Sequence, residues 1–226
     1  MNIAERWRAL EEDVARFARG PVTIVAVTKQ RPLADIREVL AAGARVLGEN
    51  RVEEARAKFT EWDPRRDLPN LQLHMIGHVQ SRKARDVVVL FDCVQSVDSR
   101  HLAEELHRRC TAAQRSLDIL VEVNMSGETQ KYGVAPSEVR SLVATCNALP
   151  SLRLRGLMTM APFTSDETIL RRVFSGLRLL RDALASEGLL PPNAELSMGM
   201  SNDYRIALEE GSTMIRIGTA LFCPPA

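Results

Sequence analysis

Eight short apolar runs, each separated from the next by a stretch of helical periodicity, limit the folds open to this chain more than any other feature. The first, 22–28, is a continuous β-branched run of the kind buried on both faces of a parallel sheet. Before it, Ile3, Trp7, Leu10, Val14 and Phe17 recur at spacings of four, three, four and three, one stripe of a helix that stops at Gly20-Pro21. After Lys29 and Pro32, a helical pattern through Leu33, Ile36, Val39 and Leu40 runs to Gly43, and a second strand is predicted over 44–47. Further strands are predicted over 71–76, 91–95, 117–123, 152–157, 194–196 and 213–217. Between them lie helical patterns over 51–59, from Ser81, over 99–113, from Pro136-Ser137, and over 166–185 and 202–209.

Strands that alternate with helices join into parallel sheets by right-handed crossovers. Eight such units in 226 residues predict an α/β chain closed as a single (β/α)8 TIM barrel, one domain over 1–226 with an N-terminal helix. An open doubly wound sheet, flavodoxin-like or Rossmann, is the competing arrangement. The Rossmann form needs G-x-G-x-x-G directly after the first strand, where this chain has Thr28-Lys29-Gln30-Arg31-Pro32.

Bulk electrostatics name no partner. Thirty basic against 29 acidic residues give a formal charge of +1, so neither nucleic acid nor an anionic membrane is called for. The apolar run 87–91 is far shorter than the roughly 20 residues that cross a bilayer. The first 17 residues mix charges of both signs and lack the apolar core of a signal peptide, so a cytoplasmic location is expected. Cys93, Cys110, Cys146 and Cys223 form no C-x-x-C pair and read as free thiols.

In a (β/α)8 barrel the chemistry sits at the C-terminal strand ends. Here those ends carry Thr28-Lys29, Gly48-Glu49-Asn50, Gly77-His78, Asn124-Met125-Ser126, Met158-Thr159-Met160, Ser197-Met198-Gly199-Met200-Ser201 and Gly218-Thr219. The chain has four lysines, Lys29, Lys58, Lys83 and Lys131, against 26 arginines. A lysine kept where arginine is the habitual cation points to amine chemistry, because arginine cannot form an imine. An amine desolvated at the barrel mouth and flanked by Arg31 or Arg216 would be a carbonyl nucleophile, whereas a plain surface lysine would only cap its strand. The stretch 197–203 reads as a small-residue turn into a helix whose N–H groups make an anion site, with Gly218 and Thr219 returning to the same mouth. An ordinary turn and N-cap is the bland alternative. His74 and His78 share the spacing of a helical metal pair, but 71–77 alternates like a strand, so no metal site is expected.

Taken in order, the motifs Ala26-Val-Thr-Lys29, Gly48-Glu-Asn50, His74-Met-Ile-Gly77 with Gln80, Ser81 and Lys83, Val123-Asn124, Arg155-Gly-Leu-Met158, Leu196-Ser-Met-Gly-Met-Ser201 and Gly211–Thr219 resemble the YggS/PROSC family of pyridoxal 5'-phosphate (PLP) homeostasis proteins. The resemblance covers essentially the whole chain. It implies the barrel of fold-type III PLP enzymes such as alanine racemase, without their C-terminal β-domain, and PLP held as a Schiff base on Lys29. It further implies Arg216 facing the pyridine nitrogen, Asn50 lining the pocket near the ring, and the phosphate held by the stretches containing Ser197, Met198, Gly199, Ser201, Gly218 and Thr219. Departures flank the pocket: Gln30-Arg31 replaces a polar pair, and His78-Val79 stands where relatives carry proline and leucine.

The chain stops at Cys223-Pro-Pro-Ala226, directly after the eighth strand, so the racemase β-domain and its acid-base tyrosine are not expected. Only Tyr132 and Tyr204 are present, each at most a local substitute. A guanidinium, whose pKa exceeds about 12, cannot protonate the pyridine nitrogen, so the ring would be a weakened electron sink. The expectation is therefore a PLP carrier without catalytic residues, serving vitamin B6 and amino acid homeostasis. It would be a cytoplasmic monomer that releases PLP to acceptors such as apo forms of PLP-dependent enzymes. Lys131 is a speculative second amine on an exit route, its alternative a solvated loop charge. The competing functions are a weak PLP-dependent amino acid racemase and a class I aldolase that traps substrate carbonyl on Lys29.

Overall fold

The computed structural model describes residues 1–128 and 132–223. Helix α1 (Ile3–Phe17) opens on a capping box in which the Asn2 side chain accepts from the Glu5 N–H while the Glu5 carboxylate accepts from the Asn2 N–H. Ile3, Trp7 and Leu10 of the predicted stripe are buried and pack α1 against the barrel's outer helices. Strands β1 (Thr23–Val27), β2 (Val46–Glu49), β3 (Gln72–Met75), β4 (Cys93–Val97), β5 (Leu117–Glu122), β6 (Leu152–Met158), β7 (Glu195–Met200) and β8 (Met214–Ile217) form one closed parallel barrel in sequence order. The helices between them are α2 (Leu33–Ala41), α3 (Val52–Glu61), α4 (Ala84–Leu90), α5 (Arg100–Ala112), α6 (Val139–Asn147), α7 (Glu167–Ser186) and α8 (Tyr204–Glu209). The eight predicted strands are all present, and the open-sheet alternative is excluded because β8 pairs with β1 from Thr23↔Met214 to Ala26↔Ile217.

Three boundaries differ from expectation for a common reason. β2 and β4 begin and end about two residues later than their apolar runs, and Glu49 and Ser96, past the predicted ends, are buried in the barrel with polar partners and continue the strands. β7 continues through Met200, so the stretch read as a turn is strand at Ser197 to Met200. Its register against β8 shifts between Ser197 and Met200, and Gly199 takes φ +97, a left-handed conformation that side-chain-bearing residues rarely adopt. A Cβ on Gly199 would stand 2.6 Å from the Ala207 Cβ, so glycine also lets β7 and α8 approach. A short helix absent from the sequence reading, α9 (Thr219–Phe222), follows β8.

Most apolar burial lies between barrel and helices, in a continuous core that includes Trp7, Ile36, Leu106 and Phe174. Cys93, Leu120 and Met158 form a separate small cluster with Met160. The remaining buried side chains among the described residues include His74, Gln95, Glu122, Ser197 and Arg216, which makes the upper barrel strongly polar. All four cysteines are free, and burial raises Cys146 to about 12. Among the described residues no helix is long and apolar enough to cross a membrane.

Strands β6 and β7 approach so closely at Gly156 that a Cβ there would stand 2.0 Å from the Glu195 carbonyl oxygen. Gly156→Ala must push two backbones apart and is expected to lower stability by roughly 2–3 kcal/mol. Gly20→Ala, at a position with nothing within 4 Å, should change it by less than about 0.5 kcal/mol. Urea unfolding followed by circular dichroism measures both.

Candidate functional site at the barrel mouth

A cleft of about 560 Å³ opens where the strands end, a size suited to a small ligand. Of the residues singled out from sequence, Lys29, Asn50, Ser201, Arg216, Gly218 and Thr219 line it together. Ser197, Met198 and Gly199 do not: Ser197 and Met198 are fully buried in the barrel wall, a consequence of β7 continuing to Met200. The sequence reading named Met160 but missed the rest of the β6–α7 loop, 161–164, which forms one side of the cleft and carries Phe163 fully out to solvent. Its signal was the run Ala161-Pro162-Phe163, an aromatic beside a helix-breaking proline.

Lys29 follows β1 with its side chain in the cleft and exposed, not desolvated as the sequence reading supposed. Arg31 does not flank the amine as a free charge, since its guanidinium donates to the Cys223 Sγ at 2.8 Å and lies 5.5 Å from the Phe222 ring centroid. Among the described lysines, only Lys29 has neither a hydrogen bond nor an ion pair. Lys83 pairs with Glu53, and Lys58 is tied in from behind the site. The Lys58 Nζ donates to the Thr28 carbonyl at 2.6 Å and to Glu49 at 2.9 Å, and pairs with Glu54 at 2.6 Å. Thr28 Oγ1 also donates to Glu49 at 2.7 Å. Burial raises the Glu49 carboxyl above its ordinary range despite Lys58 and Thr28. Glu54 in turn accepts the N–H of Gln30, whose φ of +56 turns the chain sharply after Lys29. The two lysines thus differ: Lys58 fixes the end of β1, and the Lys29 amine stays unpaired in the cleft. Lys131 lies outside the described residues.

On β8, the strand paired with β1, Arg216 is buried and donates to Ser197 Oγ at 2.6 Å and to the Thr159 carbonyl at 2.9 Å. Burial brings its pKa down to about 10 against the opposing fields of Glu122 and Asp203, so it stays cationic at neutral pH. Its other donors have no protein acceptor among the described residues and remain for a ligand. Beside it, the N–H groups that open α9 lack intrahelical acceptors by position. The Ser201 hydroxyl accepts from the Ala220 N–H at 3.2 Å, which draws the end of β7 onto the start of α9. Asp203 is engaged locally, accepting from the Met200 N–H at 2.5 Å, and burial raises its carboxyl.

The remaining candidates fall elsewhere. His74 is inside the barrel, while His78 pairs with Asp98 at 3.1 Å and stacks on Tyr132 with ring centroids 4.1 Å apart, so the two imidazoles share no ligand position. The Tyr204 hydroxyl donates to Asp13 at 2.5 Å, and neither tyrosine lines the cleft.

Comparison with known proteins agrees with this geometry. A family model described as alanine racemase, N-terminal domain, matches residues 2–224. A pyridoxal phosphate homeostasis protein of Pseudomonas aeruginosa is 40% identical over 98% of this chain and 93% of its own. The structure of PipY from Synechococcus elongatus with PLP bound superposes with a TM-score of 0.85 at 38% identity, covering 98% of this chain and 100% of that one. An alanine racemase from Clostridium difficile, 15% identical with a TM-score of 0.78, shares the fold over 98% of this chain and 58% of that chain.

Glu122, another residue the sequence reading passed over, sits at the end of β5 with its carboxyl raised to about 7 by burial, the Asp98 charge adding to the rise and Arg216 opposing it. Its signal was a carboxylate closing the otherwise apolar run after Asp118. The folded pKa exceeds the unfolded value of 4.5, so its contribution is fully present below about pH 4.5 and is lost as the pH rises through about 7. His74, lowered to about 4 by burial, acts in the opposite sense and disfavours the fold as pH falls from 6.5 towards 4. Glu122→Gln isolates the first effect: the variant should lie within about 1 kcal/mol of the parent at pH 5 and be more stable by about 3 kcal/mol at pH 8. Thermal unfolding of the two proteins across that range is the measurement, and a constant difference would place the Glu122 charge outside the barrel's low-dielectric interior.

Proposed function

This chain belongs to the family of pyridoxal phosphate homeostasis proteins, and from that premise we propose that it binds PLP covalently through Lys29 and releases it again, as an intracellular carrier in vitamin B6 and amino acid homeostasis. The observation that carries the reading is the presence in one cleft of an unpartnered amine, Lys29, and a buried donor-only cation, Arg216. The residues present fit the cofactor: an amine for the aldehyde, a guanidinium for the ring nitrogen, and the hydroxyls and opening N–H groups at Ser201, Gly218 and Thr219 for the phosphate. Asn50 borders the ring position from the end of β2. Ser197 contributes through Arg216, Gly199 through the backbone shape of β7, and Met198 through packing.

When bound, the cofactor supplies a carbonyl carbon joined reversibly to an amine. Arg216 keeps its protons at neutral pH, so the ring nitrogen receives a hydrogen bond and not a proton, which weakens the ring as an electron sink. Lys29, exposed at the mouth, leaves the linkage open to water and to incoming amines. This favours holding and exchange over carbanion chemistry and supports a role outside catalysis. Recipients would be apo forms of PLP-dependent enzymes, and the carrier would act as a cytoplasmic monomer.

Purified protein saturated with PLP and desalted should show a visible absorption band, and borohydride reduction should leave a pyridoxyl adduct on Lys29. Lys29→Ala should lose both. Mass spectrometry of the peptides locates the adduct, and an unmodified Lys29 would overturn the reading in favour of carbonyl trapping of the aldolase kind. Solvent exchange of an amino acid's Cα hydrogen that depends on Lys29, followed by NMR, would instead establish a racemase.

A further inference from the structure

Below the cleft, a continuous hydrogen-bonded chain crosses the barrel interior. Arg216 donates to Ser197 Oγ at 2.6 Å, and Ser197 Oγ donates to Gln95 Oε1 at 2.6 Å. Gln95 Nε2 lies 2.8 Å from His74 Nδ1, and His74 Nε2 lies 3.0 Å from Gln72 Oε1. Gln95 Nε2 also reaches the Met214 Sδ at 3.1 Å, so both its protons are used. Four strands contribute in turn: β8, β7, β4 and β3.

The direction of every bond follows from the first. A guanidinium has donors and no acceptor, so Ser197 must accept from it and spend its single proton on Gln95. That fixes the Gln95 amide with oxygen towards Ser197 and nitrogen towards His74. His74 Nδ1 must then accept, which places the imidazole proton on Nε2, facing Gln72. The imidazole is buried and neutral at physiological pH, so it can play this part without a competing proton. No residue of the chain beyond Arg216 borders the cleft.

We infer that Gln95 and His74 are positioning residues for the ligand: through Ser197 they fix the orientation in which the Arg216 guanidinium meets it. The inference rests on the PLP reading above for the identity of that ligand, but the chain itself belongs to the free protein. Without Gln95, Ser197 has no acceptor for its proton on that side and Arg216 gains a second rotameric solution, so ordering it falls to the ligand.

Gln95→Leu should weaken PLP binding about tenfold, the scale of one lost orienting hydrogen bond, and should cause no further loss in an Arg216→Met background. Equal losses in both backgrounds would mean that Gln95 merely supports the fold and would overturn the inference. Nitrogen-15 NMR of the free protein provides the second arm. In the parent, His74 should carry its proton on Nε2 and the Arg216 guanidinium should rotate slowly; in Gln95→Leu the Arg216 signals should average. A proton on Nδ1 in the parent, or Arg216 signals unmoved by the substitution, would refute the chain even if PLP binds as proposed. Gln95→Glu keeps the acceptor for Ser197 and covers the case in which the leucine variant does not fold. It should hold Arg216 rigid while drawing the His74 proton to Nδ1, and averaged Arg216 signals there would count against the inference. Should PLP fail to bind the parent, the functional reading falls while the NMR arm still decides the positioning of Arg216.

Discussion

Placing a guanidinium inside the barrel, a few ångströms under its mouth, is the constraint that organises the rest of this structure. A buried cation is tolerable only where acceptors and opposing charge surround it. Arg216 has the Ser197 hydroxyl and the Thr159 carbonyl as direct partners, with Glu122 and Asp203 supplying opposing fields. Three of the four are held by something further. Thr159 Oγ1 donates to the Val123 carbonyl at 2.7 Å, Asp203 accepts from Met200, and Ser197 is tied to Gln95. The polar interior of the upper barrel is therefore one connected arrangement on β3 to β8, and the small apolar cluster of Cys93, Leu120 and Met158 packs beside it. Because the cation can only donate, the arrangement has a direction as well as a shape.

The neighbouring part of the cleft, at the end of β1, follows a different logic. There the protein also uses a lysine and buried carboxylates, but as a fastening: Lys58 gathers Thr28, Glu49 and Glu54, and Glu54 holds the left-handed turn at Gln30. These contacts determine where the chain leaves β1 and leave the Lys29 side chain outside the cluster. A scarce residue type thus occurs twice within reach of one strand end, once satisfied and once not. The contrast gives the exposed amine its meaning, since lysines at strand ends are ordinarily solvated charges.

Alternating apolar runs were enough to read the closed barrel, because a parallel strand buried on both faces has few other homes. The same criterion misplaced strand ends where the interior turns polar. Ser96 and Glu49 continue strands that hydropathy would stop, and Ser197 lies in a strand although its neighbours read as a turn. Lys29, Asn50, Ser201, Gly218 and Thr219 could be named because position at a strand end is a property of the chain's order, whereas Arg216, inside β8, was named as a neighbouring cation and through the family resemblance. Gln95, His74 and Glu122 could not be given roles in the same way, since their importance arises from contacts between strands distant in sequence, and periodicity carries no record of which buried polar groups meet. A glutamine within the wholly buried run 93–97 was the one local sign, as a buried amide requires partners.

The asymmetry between Arg216 and Lys29 bears on how such a site could both hold and release a ligand. A ligand gripped at every point by preorganised groups leaves slowly, because each contact must break without help from solvent. Here the preorganised part is confined to Arg216 and the meeting of β7 with α9, while the amine stands in water beside a solvent-exposed loop. The interior network stops at Arg216, and the Lys29 amine lies outside it. On the proposed function, an incoming amine would compete at Lys29 without first dismantling that network, a division that would suit a carrier better than a catalyst, whose reacting atoms need exclusion from water.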